Sequence, residues 1–265
     1  MADTERNLVE YACRDHIATI TLNRPEKLNA FSDELVTALA QALRRFDIDQ
    51  DAFVAIIHGA GRAFSTGADV RQRQLRRREE FEQHGGPQGW GAHAGDLLTR
   101  AVNWKPVVAA AHGYVMGLAL GIVLECDLIG AAAGTQFQVT ETPRGLGGAK
   151  YWALLDFRGA AAFGTEMALT GRFFTAEEAL AHGVINRVAP EGEHLRVAQE
   201  LAAAVARNPP LSVRATIRSR RWYMDQVGRE VAMQMAPLKL YLTEDFAEAA
   251  HAFVEKRKPG PFKGR

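Results

Sequence analysis

The chain has 265 residues, of which 47% are hydrophobic and 24% are charged, as is typical of a globular protein with a sizeable core. Lys and Arg number 32 against 31 for Asp and Glu, so the net charge gives no overall attraction to nucleic acid or to an anionic membrane. The two cysteines, Cys13 and Cys126, cannot form a disulfide framework or a zinc cluster. The first residues are polar, and no apolar run reaches the length of a membrane span. With only two cysteines, we expect a protein of the reducing cytoplasm and no metal site.

The first part of the chain alternates predicted strands and helices. Ser32 or Asp33 provides the capping side chain for an amphipathic helix. In chain order we predict a hairpin of strands at 8–13 and 16–22, a polar loop at 23–30, the helix to about residue 47, a buried strand at 53–58 and a small-residue loop at 59–70.

Residues 71–95 form a polar excursion between two apolar units. The run 71–80 consists mostly of Arg, Gln and Glu, so the helix predicted there has almost no apolar stripe. Glycines between 85 and 91 interrupt it. We interpret 71–95 as a flap, with Trp90 available to cover an apolar group, and a plain surface insertion is the alternative.

The centre of the chain is a strand, a turn and a helix. Residues 107–111 are a short apolar run, 112–117 are a turn with glycines, and 118–125 are small and apolar at helical length. The first amides of such a helix have no partners within the helix and lie at the positive end of its dipole. They are therefore a candidate site for a developing oxyanion, although a plain core unit has the same pattern.

The rest of the chain changes from mixed structure to helices. We predict strands at 127–130, 135–139 and 184–188, helices at 160–170 and 176–182, and then helices at 193–207, 211–227, 230–242 and 245–256. These elements predict a β/α core over residues 1–190 and a helical C-terminal region over residues 191–265.

Several stretches resemble a known family when they are taken in order. They are the loop 23–30, the two helices that open after Gly67 and Gly117, the motifs between 171 and 188, and the stretch 253–257. Together they resemble the crotonase (enoyl-CoA hydratase/isomerase) family over nearly the whole chain. The resemblance implies an α/β fold, a spiral of ββα units, with a helical C-terminal region that forms a homotrimer or a dimer of trimers.

The resemblance also implies acyl-CoA chemistry, in which two peptide N–H groups stabilise a thioester enolate. At the matching positions these are the amides of Ala68 and Leu118, and fixed backbone donors suit that task because they need little reorganisation. Coenzyme A is expected as part of an acyl-CoA thioester substrate and not as a separate cofactor. The substrate-binding and CoA-binding positions implied are Lys27, Leu28, Ala30, Gly67, Ala68, Asp69, Val70, Gly117, Leu118, Gly121, Phe253 and Lys256, the last pair reaching a neighbouring subunit's CoA.

The acid/base residues depart from the pattern of the family's hydratases. One of their two glutamates matches Glu141, but the other falls on Gly121. A single carboxylate suits a proton shuttle, so the sequence favours double-bond isomerisation by Glu141, and Thr142 follows it as in the family's mitochondrial isomerases. Lys150, Tyr151 and Asp156 could supply a second group, although core or surface roles are favoured for each.

Other reactions and another class of function stay open from sequence. Hydration, hydrolysis, dehalogenation or decarboxylation of a bulky acyl-CoA is compatible with the space at Gly121. A CoA-binding member without catalytic activity is also compatible. Basic runs at 71–78 and 214–221 raise the possibility of RNA binding, but the few interleaved aromatics and the near-zero net charge do not favour it.

Overall fold

The structure is a computed structural model that describes residues 7–87, 96–102 and 104–265. Within these residues the strands are β1 (Val9–Arg14), β2 (Ile17–Leu22), β3 (Val54–Gly59), β4 (Val107–Ala111), β5 (Tyr114–Met116), β6 (Leu128–Ala132), β7 (Gln136–Gln138), β8 (Phe173–Thr175) and β9 (Arg187–Ala189). The helices are α1 (Asp33–Ile48), α2 (Val70–Arg73), α3 (Arg78–His84), α4 (Asp96–Ala101), α5 (Leu118–Glu125), α6 (Ala149–Phe157), α7 (Ala161–Thr170), α8 (Ala176–Ala181), α9 (His194–Ala206), α10 (Pro210–Met235) and α11 (Glu244–Val254).

The strands form two sheets, and from β4 to β7 the strands of the two sheets alternate along the chain. The larger sheet has the order β1-β2-β3-β4-β6-β9, with an antiparallel pair at β1-β2 and parallel pairs elsewhere. The smaller sheet has the order β5-β7-β8, with β5 and β7 parallel. Because β5 follows β4 and β7 follows β6, the chain passes from the larger sheet to the smaller one twice.

Both faces of the larger sheet are buried, and its central strands are apolar at successive positions. Ala55 and Ile57 of β3 belong to the main core, together with α1 and α5. Val54 and Ile56, on the other face, pack against α9. This double burial explains why these strands have continuous apolar runs and no alternation with polar residues. It also means that α9, which the sequence assigns to the C-terminal region, packs on the core sheet.

A cluster of ion pairs attaches the long helix α10 to the core. The carboxylate of Asp127 accepts hydrogen bonds from Arg220 at 3.0 Å and from Arg221 at 2.9 Å. It also accepts one from the backbone amide of Val107, at the start of β4, at 2.8 Å. Because Arg221 is only 4% exposed, this cluster is a buried, hydrogen-bonded connection between helix and sheet.

The structure differs from the sequence-based elements in several places, and β8 is a strand that the sequence did not predict. The predicted turn at 112–117 contains β5, which pairs with β7. The predicted helix at 71–80 is divided into α2 and α3, and α6 was not predicted at all. The two helices predicted at 211–227 and 230–242 are one helix that continues to Met235. Gly228 lies inside this helix and does not break it, and its Cβ position is 3.0 Å from Lys150 Nζ.

Candidate active site

Two turns that follow parallel strands lie side by side. Ser65, after β3, pairs with Val115 in β5 through an isolated parallel bridge. In this bridge the Ser65 amide donates to Tyr114 O at 3.0 Å, and the Met116 amide donates to Ser65 O at 3.2 Å. The bridge brings the turn at Gly67 next to the turn at Gly117.

The contact between these two turns requires glycine at position 67. Gly67 has a φ of +86°, and a Cβ there would be 2.5 Å from Met116 O and 3.5 Å from the backbone nitrogen of Leu118. Leu118 is the first residue of α5, so its amide has no acceptor within the helix. The amide nitrogen of Leu118 therefore lies beside the turn that carries Ala68.

The direction of the Ala68 amide follows from its pairing with Phe31. In that parallel bridge the Phe31 amide donates to Gly67 O and the Asp69 amide donates to Phe31 O. The bridge uses the groups on either side of Ala68, so the Ala68 N–H is directed away from Phe31. Both amides that the resemblance assigned to an oxyanion hole thus belong to adjoining turns.

Glu141 lies against the second of these turns. It is 8% exposed and precedes the 3₁₀ turn Thr142–Arg144. A Cβ at Gly117 would be 3.2 Å from Glu141 Oε1, so the carboxyl group is next to the start of α5. Burial raises the pKa of Glu141 to about 7, and a hydrogen bond from Tyr151 opposes this rise. A carboxyl group with such a pKa can both accept and donate a proton near neutral pH.

Tyr151 is the nearest polar partner of Glu141 that the structure describes. Its hydroxyl donates to Glu141 Oε1 at 2.6 Å, and the residue is 1% exposed. Burial and the neighbouring carboxylate raise the pKa of Tyr151 well above its usual value. The sequence analysis favoured a core or surface role for Tyr151, and its bond to Glu141 is the main site feature that the analysis missed.

Arg144 and Phe253 lie on the other side of the Glu141 turn. The guanidinium carbon of Arg144 is 3.6 Å from the centroid of the Phe253 ring, a cation–π contact. Burial lowers the pKa of Arg144 to about 10. Phe253 is thus in contact with its own chain's Glu141 turn, whereas Lys256 is exposed and has a φ of +56°.

The loop expected to bind CoA is fixed by Asn29, a residue that the sequence analysis did not select. Asn29 is fully buried, and its Nδ2 donates to Ala60 O and Ala63 O at 2.9 Å each. Its Oδ1 accepts from the Arg24 amide at 2.8 Å. These bonds hold Leu28 and Asn29 in the left-handed region, with φ of 49° and 53°, beside the loop that leads to Gly67.

The remaining predicted positions surround the same two loops. Lys27 is exposed, and Leu28, Ala30, Asp69 and Val70 are half-buried. Arg24 donates to Ala30 O at 2.9 Å and to Asp69 at 3.0 Å, so one guanidinium joins the two loops. The predicted flap lies partly outside the described residues, and Trp90 is among those that are not described.

Gly121 is buried on α5, at the position where the family's hydratases carry a second glutamate. Glu125, one turn further along the same face of α5, is completely buried. Its Oε1 is 3.6 Å from Lys150 Nζ. Glu125, the closest carboxylate to Gly121 along that face, is therefore already paired with Lys150.

Several arginines of the two basic runs form ion pairs with neighbouring carboxylates. This weakens the electrostatic argument for nucleic acid. The ion pairs are Arg73 and Arg76 with Asp33, Arg77 with Glu80, Arg78 with Glu82, and Arg220 and Arg221 with Asp127.

The described part of the chain contains neither a candidate membrane span nor a candidate metal-binding cluster. No helix in 7–87, 96–102 or 104–265 is both long and apolar enough to cross a membrane. Over the same residues, no group of three or more His, Cys, Asp or Glu side chains is arranged to hold a metal ion.

A family model described as enoyl-CoA hydratase/isomerase matches residues 13–265. The chain belongs to this family. It is 33% identical over 254 residues to a mevalonyl-coenzyme A hydratase of Aspergillus fumigatus, covering 92% of this chain and 90% of that protein. It is 31% identical over 262 residues to an (E)-benzylidenesuccinyl-CoA hydratase of Thauera aromatica, covering 94% and 96%.

Solved structures give the same result for the fold of this family member. An enoyl-CoA hydratase from Mycobacterium avium subsp. paratuberculosis superimposes with a TM-score of 0.80 at 25% identity, covering 97% of this chain and 99% of that one. The predicted crotonase family and α/β fold class are therefore confirmed, as is the prediction that the chain is an enzyme of the hydratase/isomerase type.

Proposed function

We propose that this enzyme catalyses the reversible addition of water to the double bond of an enoyl-CoA thioester, with Glu141 as its single acid/base. The observation that carries the proposal is the position of Glu141, buried and with Oε1 3.2 Å from the Cβ position of Gly117. Its pKa of about 7 makes both protonation states accessible at neutral pH. The names of the two relatives, both hydratases, favour hydration over other reactions of the family.

One carboxyl group is enough for this reaction. Ionised Glu141 takes a proton from water as the water oxygen bonds to the β-carbon, and the electrons of the double bond move onto the thioester oxygen. The protonated carboxyl then returns that proton to the α-carbon, and the carbonyl re-forms. In the dehydration direction Glu141 removes the α-proton and protonates the departing hydroxide, so atoms and charge balance both ways.

The amides of Ala68 and Leu118 would stabilise the negative thioester oxygen between these steps. The adjoining turns at Gly67 and Gly117 support this role, because the Cβ position of Gly67 is 3.5 Å from the nitrogen of Leu118. Loss of one such donor costs about a hundredfold to a thousandfold in rate in enzymes of this kind. Lys27, Leu28 and Ala30 are the proposed CoA-binding positions on the adjacent loop.

Double-bond isomerisation is the second candidate, favoured by Gly121. Without a second carboxylate to hold water, Glu141 could move a proton between the α-carbon and the γ-carbon of the acyl chain while the same two amides hold the enolate. Isomerisation therefore stays a prediction from the sequence. The two reactions differ in whether water adds to the β-carbon or a proton moves between the α-carbon and the γ-carbon.

A substrate panel separates the two candidates. We expect 2-enoyl-CoA thioesters to lose their conjugated absorbance and to yield 3-hydroxyacyl-CoA, while 3-enoyl-CoA thioesters are not converted. Conversion of 3-enoyl-CoA without any hydrated product would establish isomerisation instead. Glu141→Gln should abolish either reaction while CoA ligands still bind, and full activity of this variant would exclude Glu141 from the mechanism.

We also propose that the enzyme assembles as a homotrimer or a dimer of trimers. Several large apolar side chains of α10 are more than half exposed: Leu211, Trp222, Tyr223 and Met233. Exposed apolar side chains on one long helix are compatible with contact to another copy of the chain. In such an assembly Phe253 and Lys256 would reach the CoA of a neighbouring subunit.

A further inference from the structure

The bond between Tyr151 and Glu141 is compatible with both protonation states of the carboxyl group. A phenol donates one hydrogen, and Glu141 Oε1 can accept it whether the group is a carboxylate or a neutral carboxylic acid with its proton on Oε2. At 2.6 Å the bond is in the short range expected for a hydroxyl donating to a charged oxygen. The carboxyl therefore has no reason to rotate when its charge changes.

The other carboxyl oxygen has a more distant side-chain partner. Glu141 Oε2 has a 3.4 Å contact with the Thr140 hydroxyl, which is longer than a normal hydrogen bond between hydroxyl and carboxylate. Tyr151 keeps its own proton throughout, because its pKa lies well above the usual value. The proton that Glu141 gains and loses is thus directed to Oε2.

We propose that Tyr151 is the positioning residue of this active site: its hydroxyl keeps Glu141 in one orientation through the whole reaction and assigns proton exchange to Oε2. The inference rests on the proposed function, in which Glu141 is the acid/base. Tyr151 occupies the first turns of α6, whose fixed place in the core prevents the phenol from following a moving carboxyl group.

Tyr151 also stabilises the ionised form of Glu141, which is the form that starts the reaction with water. Burial favours the neutral carboxyl, and the phenol's hydrogen bond is the largest opposing contribution to its pKa. Removing a hydrogen-bond donor from a buried carboxylate raises its pKa. Loss of the hydroxyl alone should therefore raise the pH at which the enzyme becomes active.

The other charged groups around Glu141 do not replace this contribution. Arg144 follows on the same turn and remains as a cation in any Tyr151 variant. Glu125 of α5 and Lys150 of α6 are a pair at 3.6 Å, so their charges largely cancel at Glu141. The acidic residues of the neighbouring helices α7 and α11 are held by other partners, which applies to Glu166, Glu244, Asp245 and Glu248.

The test compares two variants that remove a phenol hydroxyl from a carboxylate. Tyr151→Phe removes the bond to Glu141 and keeps the ring. Tyr11→Phe is the matched control, because the Tyr11 hydroxyl donates a hydrogen bond of similar length, 2.5 Å, to a different carboxylate, that of Asp49. For each variant we would measure kcat and KM from pH 5 to 9, together with the infrared carboxyl band that Glu141→Gln removes.

In Tyr151→Phe we expect the acid limb of kcat/KM and the midpoint of the infrared band to rise by about one pH unit. At pH 7 the ionised fraction of Glu141 would fall from about one half to about one tenth, so kcat should fall about fivefold and KM should change less than about twofold. Tyr11→Phe should leave both midpoints unchanged. Introducing 3-fluorotyrosine at position 151 makes the phenol a stronger donor, so both midpoints should move in the opposite direction.

Midpoints that coincide in wild type and Tyr151→Phe would overturn the inference and leave Tyr151 a packing residue. The same holds if 3-fluorotyrosine has no effect, which keeps the inference testable if the Phe variant fails to fold. A wild-type acid limb that persists in Glu141→Gln would instead contradict the proposed function. The infrared titration of Glu141 would still decide the role of Tyr151, because it needs no turnover.

Discussion

Gly67→Ala is the sharpest test of the idea that two adjoining turns form the oxyanion site. The new methyl group would be placed 2.5 Å from Met116 O, about 0.5 Å closer than Cβ atoms approach other heavy atoms. The turn at Gly67 or the turn at Gly117 must therefore move by about that distance. Either movement changes the separation between the amides of Ala68 and Leu118.

The expected magnitudes differ for stability and for catalysis. An alanine at a φ of +86° costs roughly 1–2 kcal/mol of backbone strain, and the overlap adds about 1–3 kcal/mol. A misplacement of about 1 Å in an active site can reduce the rate about a hundredfold, so a shift of half that size should reduce kcat about tenfold or more. KM should change as well if the Gly67 turn is the one that moves, because its O accepts from the Phe31 amide beside the CoA loop.

The assay combines steady-state hydration kinetics with urea unfolding, and Gly134→Ala is the control. Gly134 also has a positive φ, +75°, but its Cβ position has nothing within 4 Å. The control should therefore lose about 1 kcal/mol of stability and keep its kcat. If Gly67→Ala loses stability but retains kcat within about threefold of wild type, the spacing of the two amides is not what drives the reaction.

Two further predictions concern the CoA loop and the pH dependence of folding. Asn29→Ala leaves two buried carbonyls and one amide without partners, so urea unfolding should show a loss of about 2–5 kcal/mol; Asn29→Asp, which keeps only the acceptor, should lie between it and wild type. His194 stacks on His112 with ring centroids 4.1 Å apart, and burial followed by the charge of His112 lowers the pKa of His194 to about 4. The folded state therefore binds fewer protons than the unfolded chain, so stability is complete above about pH 6.5 and falls towards pH 4. His194→Gln should flatten this fall, and an unchanged slope would show that His194 does not contribute to it.

The sequence by itself determined the central unit and the identity of the family. The apolar run of β4 and the small, apolar helix α5 have the predicted bounds, because a strand and a helix buried on all sides depend on composition and length and not on particular partners. The loop 23–30, the helices that open after Gly67 and Gly117, and the motifs between 171 and 188 indicated the family because their order along the chain is specific. The C-terminal helices were predicted in kind, but the boundary at Gly228 was wrong.

The tertiary structure decided which side chains meet. The local sequence pattern does not distinguish Tyr151 from any other core tyrosine, because the hydrophobic periodicity of the segment indicates only that the side chain faces the interior. Its bond to Glu141 depends on how α6 packs against the helices α5, α7 and α10. The same applies to Asn29, whose partners come from a distant loop, and to Gly228, whose Cβ position lies 3.0 Å from Lys150 Nζ of α6. Contacts between distant segments arise only from packing, and so the family resemblance could point to Glu141 as the candidate acid/base but not to Tyr151 as its hydrogen-bond partner.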